Sequence, residues 1–298
     1  ITSFFVTTAN ENSQQLVKQE VNVVENGIYR QINSNINQLK KLAILIQTNP
    51  KLSKKSFHQY VSTINQEATA FTAMSWNPLI TQSNKAEHEN ELTHIYQSPI
   101  HIKGQPILED DPIIYVKYIS PEKQNAKALG FNVYSNNSRK QTLTSTMVNY
   151  QPRATPIIQL VQSKHKEPAF LLFYPVFEDF LVKENESIKR LKGFATAIVL
   201  VEKLINNAMN ERLKKFFYYK IFEHNKTDYF TSNIDEPVRA LVGEKEDFNA
   251  IFDVAGQAWE MKYFLNKEFI INEQTEDFLT LYFLLVVIVI SIIMSILL

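Results

Sequence analysis

The sequence predicts an α+β fold, in which helices precede and flank antiparallel sheets. Three observations predict it. The first fifty residues carry one continuous helical stripe, two groups of strand-like segments lie on either side of a helical stretch at 202–214, and residues 278–298 are apolar and uncharged. We therefore expect two α/β units between a long first helix and a terminal hydrophobic segment.

The composition is that of an ordinary globular chain, and it excludes several classes of function. Of 298 residues, 31 are Lys or Arg and 31 are Asp or Glu, so the net charge is zero and no basic surface for nucleic acid is expected. The absence of cysteine excludes a disulfide scaffold, a thiol nucleophile and a Cys-ligated zinc site. The 6 glycines form no phosphate-binding loop motif, and no cofactor is expected.

The N-terminal segment has the periodicity of an amphipathic helix. Apolar residues recur at steps of three and four from Val17 to Ile46. Asn49-Pro50 ends the pattern, because proline disfavours a helical conformation of the residue before it. The stripe has two interpretations that are compatible with each other: it packs on its own domain, or it forms a stalk that also pairs with a second copy in a homodimer.

Helix-like and strand-like segments alternate between residues 50 and 201. Helices are predicted at 53–67, 85–96 and 137–150, and strands at 71–76, 113–119, 156–162, 169–177 and 193–200. We expect the strand at 71–76 to stop at Asn77-Pro78. The charged stretch 178–190 is interpreted as a long connection between the last two strands.

A second group of strands follows the helix at 202–214. Strands at 216–222 and 228–231 are predicted to form one hairpin, and strands at 249–254 and 258–264 another across Ala255-Gly256. Alternation places Trp259, Met261 and Tyr263 on one face.

Residues 278–298 are predicted to form a transmembrane helix. A helix of this length rises about 31 Å, enough to cross a hydrocarbon core of about 30 Å. Phe278, Tyr282 and Phe283 at its entry are similar to an interfacial aromatic belt. Residues 1–6 are too short to span a membrane alone and are compatible with the outer end of a first membrane helix.

Several short motifs then occur in one order along the chain. They are Trp76-Asn77-Pro78, Glu89, Leu129-Gly130-Phe131-Asn132-Val133, Ala154-Thr155, Ile158-Gln159-Leu160, Pro175-Val176-Phe177, Leu191-Lys192-Gly193-Phe194, Val201-Glu202-Lys203-Leu204 and Gly256-Gln257-Ala258-Trp259. Their order resembles the CHASE family, the extracellular sensor shared by receptor histidine kinases and cyclases. The similarity covers roughly residues 70 to 265.

The resemblance implies an arrangement of domains. It implies a stalk helix at 1–49, a membrane-distal PAS-like unit at 50–201 that binds the ligand, a membrane-proximal PAS-like unit at 202–275, and the membrane helix at 278–298. It also implies a function. The chain would be a periplasmic sensor in the bacterial inner membrane that passes the binding of a small molecule to a cytoplasmic output outside this chain, either a histidine kinase of a two-component system or a cyclic-di-nucleotide enzyme. No catalytic activity is expected within the chain itself.

The resemblance further implies a binding site. In the cytokinin-receptor branch, the aspartate of Gly-Phe-Asp pairs with an adenine-type ligand, and Asn132 occupies that position here. Because Asn donates and accepts whereas an ionised Asp only accepts, the change costs a charge-assisted bond of about 1.5–3 kcal/mol, and cytokinin is not the expected ligand. The other positions aligned with the pocket wall are Ala154, Thr155, Leu160, Phe173 and Tyr174. The alternatives are core packing for the apolar members and a turn or cap role for Asn132 and Thr155.

Three alternatives to a CHASE sensor are a metal-binding protein, a double-Cache sensor and a membrane-tethered hydrolase. The acidic helix around His88, Glu91 and His94 has no established metal-ligand spacing and is interpreted as a solvated charged face, so no metal site is expected. A double-Cache sensor would share the stalk and the stacked units but not the motif order. A membrane-tethered hydrolase would need a convergent nucleophile or carboxylate pair, and the sequence displays none.

Overall fold

A computed structural model describes residues 2–67, 70–159, 167–183, 186–223, 229–231 and 246–266, together with residues 269, 272, 279 and 282–288 near the C-terminus. The predicted α+β fold and the long N-terminal helix are confirmed. Helix α1 (Thr2–Thr48) is followed by a first unit built on a seven-stranded antiparallel sheet and a second built on a four-stranded one.

Helix α1 buries the predicted stripe against its own chain. Val24, Ile28 and Leu39 are fully buried in a core shared with both sheets. Asn49 ends the helix by donating its side-chain amide to the Leu45 carbonyl oxygen at 2.9 Å, and Pro50 follows. The first interpretation of the stripe, packing on its own domain, therefore describes the structure.

The first sheet contains seven strands and is flanked by helices. The strands are β1 (Phe71–Ile80), β2 (Ile113–Ile114), β3 (Tyr118–Ser120), β4 (Arg153–Ala154), β5 (Ile158–Gln159), β6 (Pro168–Lys183) and β7 (Glu186–Leu200). Their order is β2–β1–β7–β6–β4, with β3 also paired to β1 and β5 to β6. The helices of this unit are α2 (Lys54–Glu67), α3 (Lys85–Tyr96), α4 (Glu122–Asn125) and α5 (Asn137–Asn149). The long strands β1, β7 and β6 form the middle of the sheet.

Strand β1 continues through Asn77-Pro78, contrary to the prediction from sequence. Pro78 pairs with Gly193, which has a φ of 152°. A Cβ on Gly193 would collide with the backbone of Asn77 and Pro78, so the missing side chain allows the strands to approach at the proline. The Pro78 carbonyl oxygen still accepts a bond from the Tyr115 amide at 3.3 Å.

The charged stretch 178–190 is largely strand rather than a long connection. Strands β6 and β7 extend as a two-stranded ribbon in which Glu178 lies opposite Arg190 and Asp179 opposite Lys189. Glu178 also forms an ion pair with Arg190. Cross-strand pairs of opposite charge favour the pairing of polar strands. Because this ribbon lacks the alternation of apolar and polar residues that predicts a strand, the sequence pattern did not predict it.

The second unit begins with two short helices in place of the single one predicted at 202–214. Helix α6 (Val201–Ala208) ends before Asn210, whose side-chain oxygen accepts from the Leu213 amide at 2.8 Å and caps α7 (Glu211–Phe216). Strands β8 (Phe217–Glu223), β9 (Tyr229–Thr231), β10 (Phe248–Val254) and β11 (Gln257–Leu265) follow in the order β10–β11–β8–β9.

The predicted hairpin across Ala255-Gly256 is confirmed. Both turn residues have positive φ, 48° and 88°, as a tight two-residue hairpin turn requires. Trp259, Met261 and Tyr263 share the buried face of β11. The ring of Trp259 meets that of Phe170 on β6 edge-on at 5.4 Å, so the two sheets share one core.

Among the described residues, no helix is long and apolar enough to cross a membrane. Of the predicted membrane segment 278–298, the structure describes only residue 279 and residues 282–288. The remainder of that prediction lies outside the described residues.

Candidate functional site

The two faces of the seven-stranded sheet have different partners. Along β1, Met74 and Trp76 point into the core shared with α1, while Ala73 packs in a separate cluster with Leu171 and Phe194. Because side chains alternate along a strand, Ser75 and Asn77 lie on the same face as Ala73. The candidate site is on this face, away from α1.

A partly enclosed cavity of about 260 Å³ lies on that face. Its polar lining consists of Ser75, Asn77, Asn125, Lys127, Arg139 and Thr196. Its apolar lining consists of Val116, Ile119, Ala128, Phe131, Val133, Ile158, Leu171 and Ile198. An apolar cavity with a few convergent polar groups is the usual form of a small-molecule site.

The floor of the cavity is polar where β1 meets β7. Ser75 stands directly opposite Thr196 in the register, and both side chains are nearly inaccessible to solvent. Asn77, which is fully buried, donates from Nδ2 to the Thr196 hydroxyl oxygen at 3.1 Å. The Oδ1 atom of Asn77 has no hydrogen-bond partner among the described residues.

Asn132 holds the segment that covers the cavity. Its Oδ1 atom accepts from the backbone amides of Ile114 and Tyr134, each at 3.1 Å, and its Nδ2 atom donates to the Gly104 carbonyl oxygen at 3.3 Å. Phe131 and Val133, the residues on either side, line the cavity. These bonds satisfy the amide on both its donor and its acceptor side, and Asn132 is not among the lining residues.

Arg139 reaches the cavity from the first turn of α5. The Asn136 side chain caps this helix by accepting from the Arg139 backbone amide at 3.2 Å. The guanidinium lies 5.5 Å from the centre of the Phe131 ring. Burial lowers the pKa of Arg139 from its usual value, because a charged form is less stable away from water. In the described part of the chain this guanidinium has no ion pair.

The structure places the other predicted site residues outside the cavity lining. Thr155 is fully buried, and its hydroxyl oxygen accepts from the amide of Leu171, a lining residue, at 3.0 Å. Ala154 packs in the core on the α1 side and bonds to the second unit through the amide and carbonyl groups. Phe173 packs edge-on against Phe194, and Tyr174 is partly buried on the α1 side. Leu160 lies outside the described residues.

Sequence reasoning missed the polar floor and Arg139. Ser75 and Asn77 are two apart on β1, and this alternation of polar residues inside an apolar strand was a usable signal. The prediction that the strand ends before Asn77-Pro78 leaves Asn77 outside the strand and so conceals this signal. Arg139 carried no comparable signal, since an arginine in the first turn of an amphipathic helix is most often exposed.

A larger cavity of about 480 Å³ lies at the end of α1, near Pro50 and Trp76. Its lining includes Arg190, which pairs with Glu178, and Lys117, which pairs with Glu91 at 2.6 Å. These charges are already satisfied within the chain. For this reason the smaller cavity is the better candidate site.

The acidic helix α3 forms pairs rather than a metal centre. His88 contacts the Tyr115 hydroxyl at 2.9 Å and Glu91 at 3.5 Å. The hydrogen bond with His88, together with Lys117, lowers the pKa of Glu91 to about 2. No group of three or more His, Cys, Asp or Glu residues with metal-binding geometry occurs in the described part of the chain.

Comparison with known proteins found one family and several solved structures. The model of the CHASE domain family matches residues 50–229, more than half of the chain. No match was found among curated proteins.

The solved structures that are similar to the chain include a chemotaxis protein and two receptor proteins. A protein described as methyl-accepting chemotaxis protein X has a TM-score of 0.53 at 7% identity, covering 86% of this chain and 98% of that one. At this identity the likeness shows the fold alone. The ligand-binding domain of the Pseudomonas aeruginosa PAO1 amino acid chemoreceptor PctC, in complex with GABA, has a TM-score of 0.49 at 10% identity, covering 85% of this chain and 100% of that one. An extracellular ligand-binding receptor from Desulfohalobium retbaense DSM5692 has a TM-score of 0.44 at 10% identity, covering 83% of this chain, and the chain spans 39% of that receptor's length.

Proposed function

Since this chain belongs to the CHASE domain family, we propose that it is the periplasmic ligand-sensing part of a transmembrane signalling receptor. One observation carries the proposal: the cavity of about 260 Å³ lies within the matched residues, over the central strands of the first sheet. Its apolar walls and few polar groups suit a small molecule. The chain itself senses and does not catalyse.

Asn132 and Thr155 support this site indirectly. Asn132 fixes Phe131 and Val133, and Thr155 holds the backbone of Leu171, so each positions a lining residue through a hydrogen bond to the chain. Direct ligand contacts by these two residues, or by Ala154, Leu160, Phe173 and Tyr174, stay predictions.

The same strands connect the cavity with α1. Ser75 and Thr196 face the cavity, whereas Met74 and Ala195, their neighbours in the chain, pack in the core that contains α1. A ligand shifts a two-state equilibrium only by its differential affinity for the two states. We therefore expect occupancy of the cavity to favour one packing of the sheet on α1, and the membrane helix at 278–298 to carry that difference to a cytoplasmic histidine kinase or cyclic-di-nucleotide enzyme.

A homodimer through the stalk is part of the proposal. The apolar stripe of α1 is buried against the rest of its own chain. The apolar residues Val23, Tyr29 and Ile44 on the remaining surface of the helix are exposed. Asn37, also exposed on α1, is a position for a single cysteine in a chain that has none. Oxidative crosslinking of Asn37→Cys in the membrane should yield a covalent dimer, whereas Ser83→Cys, at an exposed position outside α1, should not.

Small molecules retained by the full chain test the sensing function. Native mass spectrometry of the full chain purified from its membrane should reveal one bound molecule per chain. Removal of that molecule should lower the melting temperature of the chain. A full chain that retains no molecule and whose melting temperature is unmoved by any compound of a metabolite library would refute sensing.

The location is tested separately with an introduced cysteine. Because the chain has no cysteine, Lys123→Cys on the exposed surface of α4 gives one labelling site. A membrane-impermeant maleimide should label it in spheroplasts without lysis. Labelling that needs lysis would place the first unit in the cytosol and would contradict the proposed orientation.

A further inference from the structure

We propose that the cavity over Ser75 and Asn77 takes a small organic anion, a carboxylate with a hydrogen-bond donor on a mainly apolar body. This inference rests on the proposed sensing function and specifies its ligand class. Three features of the cavity carry it: the sign of its charge, an arginine without a counter-ion, and a buried acceptor without a donor.

The charged groups at the cavity are cationic. Arg139 and Lys127 line it, and none of the described lining residues is Asp or Glu. In a partly enclosed site with apolar walls, charges interact more strongly than in water. The potential inside the cavity therefore favours an anion and opposes an amine that lacks a carboxylate.

Arg139 is chemically suited to bind a carboxylate. A guanidinium presents its donors as a planar fork that matches a carboxylate through two parallel hydrogen bonds. Within the described part of the chain, the contact of this guanidinium is with the face of the Phe131 ring, and no carboxylate meets it. A half-buried cation is expected to be paired, and an anionic ligand would supply the partner. The lowered pKa of Arg139 agrees with this desolvation.

The floor supplies an acceptor for a second part of the ligand. The Nδ2 atom of Asn77 donates a hydrogen bond to the Thr196 hydroxyl oxygen. Its Oδ1 atom is buried and has no partner in the described structure. An unsatisfied buried acceptor costs about 1–3 kcal/mol, and a donor on the ligand would remove that cost. A hydroxyl, an amide N–H or an ammonium group fits this position.

The apolar walls and the volume of the cavity restrict the rest of the ligand. Val116, Phe131 and Ile198 are among the apolar residues that line the cavity. The volume of about 260 Å³ lies just below the usual range for drug-sized ligands, which begins at about 300 Å³. The ligand is therefore of metabolite size, with an apolar body between its two polar ends.

Matched pairs of carboxylates and carboxamides test this class. We would measure the melting temperature of the full chain with leucine and leucinamide, phenylalanine and phenylalaninamide, 4-hydroxyphenylacetate and its amide, and 3-hydroxybutyrate and its amide. Uncharged nucleobases and simple amines complete the set. At least one carboxylate should raise the melting temperature while its amide does not.

The variant Arg139→Met tests the residue. For a carboxylate that binds, calorimetric titration should give an affinity lower by about tenfold or more than that of the wild type, since a charge-assisted hydrogen bond is lost. Arg139→Lys should retain part of the affinity. Lys123→Met removes the same charge from an exposed position nearby and should leave the affinity unchanged.

The outcomes separate the two proposals. Binding of uncharged compounds or amines alone, or a carboxylate affinity unchanged in Arg139→Met, overturns the anion specificity and leaves sensing intact. A set in which no compound of any class changes the melting temperature overturns the anion specificity and counts against the sensing function as well. If Arg139→Met does not fold, the anion specificity is tested with Arg139→Lys and with the comparison of each carboxylate and its amide on the wild type.

Discussion

The Asn77 side chain on β1 donates to the Thr196 hydroxyl oxygen on β7, with 3.1 Å between Nδ2 and Oγ1. In the register Asn77 stands opposite Phe194, so the bond runs diagonally to the next residue on the same face. Both residues belong to long strands whose other face packs on α1. The polar floor of the cavity is thus built on the central strands of the first sheet.

Asn132 should contribute to stability through its three hydrogen bonds. In Asn132→Ala, the buried amides of Ile114 and Tyr134 lose their partner, as does the carbonyl of the exposed Gly104, which should cost about 2–4 kcal/mol of unfolding free energy. Asn132→Asp keeps both accepted bonds and should cost less. Urea denaturation of the full chain measures the difference, with exposed Asn137→Ala as the control. Equal stabilities for Asn132→Ala and the control would show that these bonds are not formed in solution.

Gly27 lies where α1 meets the end of α6. A Cβ on Gly27 would collide with the backbone carbonyl of Ala208. In a free helix Gly→Ala gains about 1 kcal/mol, but Gly27→Ala should destabilise the chain by about 1–3 kcal/mol, because overpacking forces the two helices apart. The exposed neighbour Asn26→Ala should be neutral or slightly stabilising. A thermal melt in which Gly27→Ala is as stable as Asn26→Ala would exclude the close contact.

Glu91 should make stability depend on acid pH. Its hydrogen bond with His88 and its contacts with Lys117 lower its carboxyl pKa to about 2 from 4.5. A carboxyl with a lower pKa in the folded state stabilises fully above its unfolded pKa, and this contribution is lost as the pH falls from about 4.5 towards 2. Because Glu91 is partly exposed, solvent screening limits the contribution to less than about 1 kcal/mol.

The pH effect is measured by denaturing wild type and Glu91→Gln at about pH 5.5 and about pH 3. At the higher pH the wild type should have a larger unfolding free energy than Glu91→Gln. At the lower pH this difference in unfolding free energy, the gap, should be smaller. Glu87→Gln, which changes an exposed carboxylate on the same helix, should show a gap near zero at both. A Glu91→Gln gap that stays constant across the two conditions would mean that the carboxylate is not held by His88 and Lys117.

Much of the fold follows from local patterns in the sequence. The stripe from Val17 to Ile46 predicts α1, and Ala255-Gly256 predicts the hairpin of the second sheet, because each pattern acts over a few neighbouring residues. The extension of β1 through Pro78 and the ribbon of β6 and β7 were not predictable in the same way. Both depend on what stands opposite: Gly193 in the first case and charges of opposite sign in the second.

The candidate site was less accessible to sequence reasoning than the fold. Motif order identified the first unit, and it directed attention to Asn132 and Thr155, whose hydrogen bonds build the walls of the cavity. The residues that line it come from many segments between Ser75 and Ile198, among them β1, β7 and α5, which are far apart in sequence. Arg139 meets Phe131 and Asn77 meets Thr196 only after the chain has folded, and no local spacing encodes either pair.

Filling the cavity at Ser75 tests the central claim, that a small molecule binds over the junction of β1 and β7. Ser75 lies on the floor and stands opposite Thr196, so the side chain in Ser75→Leu would occupy the space proposed for the ligand without adding a buried polar group. Ser83→Leu makes the same substitution at an exposed position outside the cavity lining. With a compound that raises the melting temperature of the wild type, titration calorimetry should show an affinity lower by about tenfold or more in Ser75→Leu and unchanged in Ser83→Leu. A folded Ser75→Leu chain that binds the compound as tightly as the wild type would contradict the account.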